Sequence, residues 1–301
     1  MIDALRVCYE VVYPDHIEQL KTLNVGERYD FYDFHLYRVE GKRFDNVYAI
    51  RYHEPNEGEK TFGHLKFNIA ADRADEENNK VWLWVENWVF YDYMALNYLP
   101  FIVSEIGLEF HNITSIDLCM DLQFNVPQKL RRLLKRKDTT TILNGKRIRD
   151  RDIDRPEITY TTSGSLNKMD RYMTVNIKQR KAMKDKARGI TLTAYDKIAE
   201  INNSSNKEYI RKAHGFPDKL YRLEIHLNNA EIKEYWGKYG IEANERLIFD
   251  QQMQTIMFLD LLNSIVRFDT PEGRVDWEAL LGRHITTTPV SDYVRAVNRS
   301  K

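Results

Sequence analysis

Two short runs constrain this chain more than any other feature. Gly189–Lys197 reads Gly-Ile-Thr-Leu-Thr-Ala-Tyr-Asp-Lys, and Leu220–Leu227 reads Leu-Tyr-Arg-Leu-Glu-Ile-His-Leu. Each alternates apolar with polar residues, the period of a strand with one face on a core. In the first, Ile190, Leu192 and Ala194 take the core side, and Thr191, Thr193 and Tyr195 the other. In the second, Tyr221, Leu223, Ile225 and Leu227 face inward, and Arg222, Glu224 and His226 outward. Ile113–Leu122 behaves alike, with Ile116, Leu118, Met120 and Leu122 inward and Asp117, Cys119 and Asp121 outward. Three strands thus turn a phenol and several acids towards one open side.

The surrounding pattern predicts an α+β fold. Strands are expected at Arg28–Val39, Arg43–His53, Thr61–Ala70 and Lys80–Phe90, after a short helix at Pro14–Leu23 and an apolar run at Ala4–Val12. Tyr93–Gly107 reads as a helix ending on its glycine, and Val126–Lys137 as one with Pro127 in its first turn. Further strands are expected at Glu157–Thr162, Arg171–Gln179, Gly189–Tyr195 and Lys219–Asn228. Helices are expected at Asp196–Ala213, broken near Asn202–Asn206, and at Ala230–Gly240. The order strand, strand, strand, helix, strand, helix so occurs near 44–137 and again near 157–240. This predicts two pseudo-duplicated βββαβα halves forming a large antiparallel-rich sheet with helices on one face. Residues 1–240 would be one domain, with a charged linker at 138–156. Residues 241–301 would be a helical extension, with Arg246–Phe268 as one packed helix and Val275–His284 as a second.

Composition narrows the function classes. The 45 basic and 45 acidic residues cancel, so net charge alone argues against a nucleic-acid partner. Their distribution argues the other way: basic residues crowd Lys129–Arg155 and Lys168–Arg188, where they would hold a phosphate backbone locally or form solvated faces. No apolar run approaches the ~20 residues of a membrane helix, and Met-Ile-Asp-Ala-Leu-Arg lacks the pattern of a signal peptide. Two cysteines, Cys8 and Cys119, cannot make a disulfide framework or a Cys-x-x-Cys zinc site. The expectation is a cytoplasmic protein with no membrane partner. A P-loop, a dinucleotide fingerprint and a His-hydrophobic-His pair are all absent. His226 is carried as a further ligand candidate; His35, His53, His64 and His111 are read as structural.

Taken singly, Asp117 reads as a surface acid, Glu224 as an ion-pair partner of Arg222 or a lysine, and Tyr195 as a packed phenol. Taken together they suit phosphodiester chemistry. Hard oxygen ligands fit Mg²⁺ or Mn²⁺, which polarises a phosphoryl oxygen. A phenol with a pKa of about 10 needs help to attack, which Lys197 or the metal could supply.

Ile116-Asp117-x-x-x-Asp121, Thr191-x-Thr-Ala-Tyr195-Asp196-Lys197 and Tyr221-Arg222-Leu-Glu224 together resemble the replication initiators of Gram-positive rolling-circle plasmids. The relaxases of integrative conjugative elements share these motifs, and filamentous-phage initiators do so more distantly. Met1-Ile2-Asp3 and Ala194-Tyr195-x-Lys197 look like the phage branch; Asp196 and Arg222-x-Glu224 look like the plasmid branch. The resemblance covers roughly residues 1–240. It implies a metal-dependent, site-specific nick in single-stranded or hairpin origin DNA, with Tyr195 joined to the 5′ end and the freed 3′-OH priming a polymerase. Lys197 and Arg222 would assist catalysis, Arg222 by binding the scissile phosphate or orienting Glu224. Asp117, Glu224 and Asp121 would hold the metal. Ser115 stands where the family carries a basic residue. Gly164-Ser165-Leu166-Asn167 would lie near the DNA. A host helicase, a polymerase and a second copy of the chain are partners the sequence leaves open. So are the alternatives of a conjugative relaxase, a non-catalytic DNA-binding saddle in which Tyr195 is merely packed, and a protein scaffold.

Overall fold

The computed structural model describes residues 2–54, 58–67, 79–148, 158–162, 173–178, 189–242 and 245–281. The chain is mixed α+β and divides into two compact units, Asp3–Ile116 and the residues from Asp117 onward. Among the described residues no helix is long and apolar enough to cross a membrane.

The N-terminal unit runs β1 (Ile2–Val11), α1 (Pro14–Thr22), β2 (Arg28–Asp30), β3 (Phe34–Val39), β4 (Asn46–Glu54), β5 (Gly58–Phe67), β6 (Lys80–Val85), α2 (Tyr93–Asn97), α3 (Leu99–Ile106) and β7 (Leu108–Leu122). Its strand order is β7-β1-β6-β5-β4-β3-β2. The apolar run at Ala4–Val12 is therefore a strand. Arg28–Val39 is a hairpin of two strands rather than one, Asp30 pairing with His35. The Tyr93–Gly107 helix is two helices, because Asp92 caps the first and Pro100 sits in the first turn of the second. Gly107 ends it with φ of 82°, a left-handed conformation that favours glycine.

One face of this sheet is the core. Leu5, Val7 and Tyr9 of β1 pair in register with Val85, Leu83 and Val81 of β6, and all six are buried. Leu65 and Tyr48 continue the row through β5 and β4. The Tyr48 hydroxyl donates to the Leu20 carbonyl at 2.6 Å and ties α1 to this face. Each fully buried side chain here is worth about 1.5–3 kcal/mol over its exposed state.

The C-terminal unit begins inside β7, at Asp117, and continues with α4 (Val126–Lys135), β8 (Thr140–Leu143), β9 (Lys146–Ile148), β10 (Ile158–Thr162), β11 (Met173–Lys178), β12 (Thr191–Asp196), α5 (Lys197–Glu200), α6 (Glu208–Ala213), β13 (Tyr221–Asn228), α7 (Asn229–Gly237), α8 (Arg246–Phe249), α9 (Gln251–Ile265), β14 (Val266–Thr270), β15 (Gly273–Arg274) and α10 (Trp277–Leu281). The order of its main sheet is β10-β11-β12-β13-β7, with β10 to β13 antiparallel. Val175, Ile177, Leu192, Ala194, Leu223, Ile225 and Leu227 are buried, as alternation requires. The amphipathic helix α4 packs against β11, β12 and β13. It buries Val126, Leu130, Leu133 and Leu134 and leaves Lys129, Arg132 and Lys135 exposed.

Two expectations change here. Of the expected linker, the described residues 138–148 carry β8 and β9, and the segment after 240 is not wholly helical. The helix expected over Arg246–Phe268 stops at Ile265, and β14 follows, paired with β8 in a second sheet of order β15-β14-β8-β9. Val266 and Phe268 are fully buried, and the Trp277 indole N–H donates to the Val266 carbonyl at 3.0 Å. Of the basic stretches, 149–157, 163–172 and 179–188 lie outside the described residues, and with them the Gly164–Asn167 loop.

Candidate functional site

The polar side of β12 and β13 is built by register. Tyr195 stands opposite Arg222, Thr193 opposite Glu224 and Thr191 opposite His226. Tyr195 and Glu224 are thus diagonal neighbours, close enough on a pleated pair for long side chains to meet. The Tyr195 hydroxyl donates to Glu224 Oε2 at 3.1 Å. On the far side of β12, the Thr193 hydroxyl donates to Asn176 Oδ1 at 3.0 Å, extending the polar strip onto β11.

β7 flanks β13 on its other edge. Asp117 Oδ1 accepts a hydrogen bond from His226 Nδ1. That bond raises the pKa of His226; burial acts against it, and the Asp117 and Glu224 charges add to the rise. The rise favours the imidazolium form, whose hydrogen bond goes to Asp117. Tyr195 of β12, Glu224 and His226 of β13 and Asp117 of β7 thus form one polar row across three strands.

Three expected site residues, Arg222, Asp121 and Lys197, lie elsewhere. Arg222 is not exposed; its side chain is 0% accessible, and that of Asp121 is 1%. Arg222 Nε donates to Asp121 Oδ1 at 2.6 Å and Nη2 donates to Oδ2 at 2.7 Å. His214 Nε2 closes the cluster on Asp121 Oδ2 at 2.9 Å. Both oxygens of Asp121 are thus engaged by cationic or imidazole partners, which removes it from the expected metal set. His214 gave no strand signal in the sequence, because it sits in the turn after α6, where Gly215 and Phe216 both take positive φ.

Lys197 likewise is 1% exposed. Its ammonium lies 2.8 Å from Glu200 Oε2 and 5.5 Å from the centre of the Tyr195 ring. It lies over the ring and is paired with another acid. Asp196 ends β12 and caps α5 by accepting from the Ala199 amide at 2.9 Å. Burial raises its pKa, and the amides of Ala199 and Ile198 act against that rise.

Comparison of the chain with family models, with curated proteins and with solved structures finds no match. The site therefore has to be read from its own chemistry.

Among the described residues no group of three His, Cys, Asp or Glu side chains is arranged to hold a metal ion. The fit to a hard divalent ion rests on Asp117 and Glu224, two carboxylates on adjacent strands. That is the number such an ion commonly takes from a protein when substrate phosphate completes its shell.

Proposed function

We propose that the C-terminal unit breaks and rejoins single-stranded DNA through Tyr195, nicking a replication origin to start rolling-circle replication. The observation that carries this reading is the hydrogen bond from Tyr195 to Glu224 beside the Asp117–His226 pair. As the phenol oxygen attacks phosphorus, its proton passes to the Glu224 carboxylate. The bond from phosphorus to the 3′ oxygen breaks, the 5′ phosphate stays esterified to Tyr195, and the 3′ oxygen takes a proton from water. Rejoining reverses the exchange. Asp117 and Glu224 would hold Mg²⁺ or Mn²⁺, which would polarise a phosphoryl oxygen. Arg222 acts by fixing Asp121 and the β13 backbone, a positioning role in place of the phosphate contact expected from the motif.

A covalent-trapping assay tests the reading. The protein is mixed with Mn²⁺ and labelled single-stranded hairpin DNA from its own replicon, then denatured and resolved. A protein–DNA band that is lost in Tyr195→Phe and on chelation is the expected result. A band surviving Tyr195→Phe would move the nucleophile to another tyrosine, Tyr160 or Tyr172 first. Binding without a band on any hairpin would leave a DNA-binding protein and remove the enzyme.

A further inference from the structure

The N-terminal unit carries a second cluster that the Tyr195 chemistry does not use. Val81, Leu83 and Val85 of β6 point into the core, so alternation sends Trp82 and Trp84 to the opposite face, where both are half-exposed. Register sets Arg6 of β1 opposite Trp84 and Lys66 of β5 opposite Trp82. The Arg6 guanidinium carbon lies 4.2 Å from the centre of the Trp84 ring, and the Lys66 ammonium 3.1 Å from it. Phe44 joins them from the turn between β3 and β4, its ring 5.7 Å from that of Trp82 and 6.4 Å from that of Trp84. A side chain at position 41 would block this turn. A Cβ on Gly41 would come within 2.2 Å of the Phe44 carbonyl oxygen and 2.7 Å of the Val47 side chain. Glycine there lets the chain fold back and deliver Phe44, with exposed Lys42 and Arg43 beside it.

Two cations share one indole. Cation–π attraction offsets part of their repulsion, about 0.5–1 kcal/mol at a partly exposed site. The strain shows in Lys66, whose pKa is pushed down by burial first and by Arg6 second, with Glu86 acting the other way. Among the described residues neither Arg6 nor Lys66 lies within ion-pair distance of a carboxylate. The nearby acids are engaged elsewhere: Glu86 with His64 at 3.3 Å, and Glu10 with Lys80 at 2.6 Å and His111 at 3.0 Å. The cluster therefore sets two positive charges beside three flat rings. An acidic peptide would satisfy the charges and leave the rings idle. A strand with a phosphate and an unstacked base at each step uses both.

We propose that this face of the N-terminal unit is a platform for single-stranded nucleic acid, Arg6 and Lys66 holding phosphate while Phe44 and Trp82 stack bases. It requires binding alone and stands apart from nicking by Tyr195. DNA and RNA share this chemistry, so both are tried.

The test measures tryptophan quenching and fluorescence anisotropy of the full chain with labelled dT15, rU15 and a 15-base-pair duplex. Arg6→Gln with Lys66→Gln, and separately Phe44→Leu with Trp82→Leu, are each expected to weaken single-strand binding about tenfold or more. Duplex binding should be little changed. The Arg6/Lys66 pair should also lower the salt slope by about 1.4. The tighter of dT15 and rU15 identifies the natural strand. Unchanged single-strand affinity in the Arg6/Lys66 variant, whose side chains lie at the surface, overturns the proposal even if the aromatic variant fails to fold. Quenching that depends on these four residues without any covalent adduct would sink nicking and keep the platform. An adduct with affinity indifferent to all four would do the reverse.

Discussion

Arg222 grips Asp121 with two parallel hydrogen bonds of 2.6 and 2.7 Å, and both side chains are all but sealed from solvent. The bidentate geometry makes each bond strong, yet removing two charges from water costs several kcal/mol, so the pair specifies an arrangement more than it adds net stability. The consequence is asymmetric. Arg222→Met or Asp121→Ala leaves one charge buried alone, and each is expected to lower the unfolding free energy by about 3–5 kcal/mol. Urea denaturation followed by circular dichroism measures this. The double substitution Asp121→Leu with Arg222→Met should recover part of the loss. If Asp121 served a metal instead, Asp121→Asn would leave the urea midpoint in place and change only the Mn²⁺ dependence of nicking.

The same cluster sets an acid limit. Burial alone would raise the pKa of Asp121, but hydrogen bonds from His214 and Arg222 outweigh it and hold the carboxyl well below the usual range. The unfolded chain, with Asp near about 3.9, then takes up the proton first as pH falls. Stability from this group is complete above that value and drains as pH drops towards the lower folded one. Urea midpoints measured from pH 6 down to 2.5 should decline below about pH 4. The decline should be shallower in the Asp121→Leu, Arg222→Met protein.

Alternation made Tyr195, Glu224 and Asp117 legible in the sequence, because a period of two fixes the side of a strand. It could not fix register. That Tyr195 stands opposite Arg222 and reaches Glu224 along the diagonal follows from how β12 slides on β13. Nor could it say what covers an outward residue: Arg222 is on the expected side but lies beneath Asp121 and His214. The strand at Val266–Thr270 was hidden for a different reason. Ile265, Val266 and Phe268 continue the apolar spacing of the preceding helix, and only the pairing with Thr140–Leu143 across a long stretch of chain resolves the ambiguity.

Glu224 has two readings, proton acceptor and metal ligand, and kinetics separate them. Its side chain lies at the sheet surface, so Glu224→Gln should leave DNA affinity and folding intact. Loss of a general base is expected to slow adduct formation by about 10²–10⁴-fold. If Glu224 takes the proton, raising the pH towards the phenol's own value of about 10 should restore the rate in Glu224→Gln, as phenolate forms unaided. If it acts only as a ligand, excess Mn²⁺ restores the rate and pH does not. Single-turnover trapping across pH 6–9.5 at two metal concentrations reads both.

The segment after Gly240 is structural in the second sheet. β14 supplies the only strand that joins β8 and β9 to β15 among the described residues. Val266, Phe268 and Trp277 are almost wholly buried around it, with Phe268 and Trp277 in ring contact at 6.1 Å. Ending the chain at Gly240 would strip β8 of its partner β14, leaving only β9, and expose Thr141 and Leu143, which are buried in the whole protein. The truncated protein is expected to lose the cooperative unfolding of the C-terminal unit. Phe268→Ala in the full chain makes the same point without truncation, because a buried phenylalanine cut to alanine costs about 3–5 kcal/mol. The thermal midpoint should fall by several degrees, while the N-terminal unit's binding of dT15 persists. A Phe268→Ala protein that melts like wild type would mean that β14 is an appendage and that the unit is complete by residue 240.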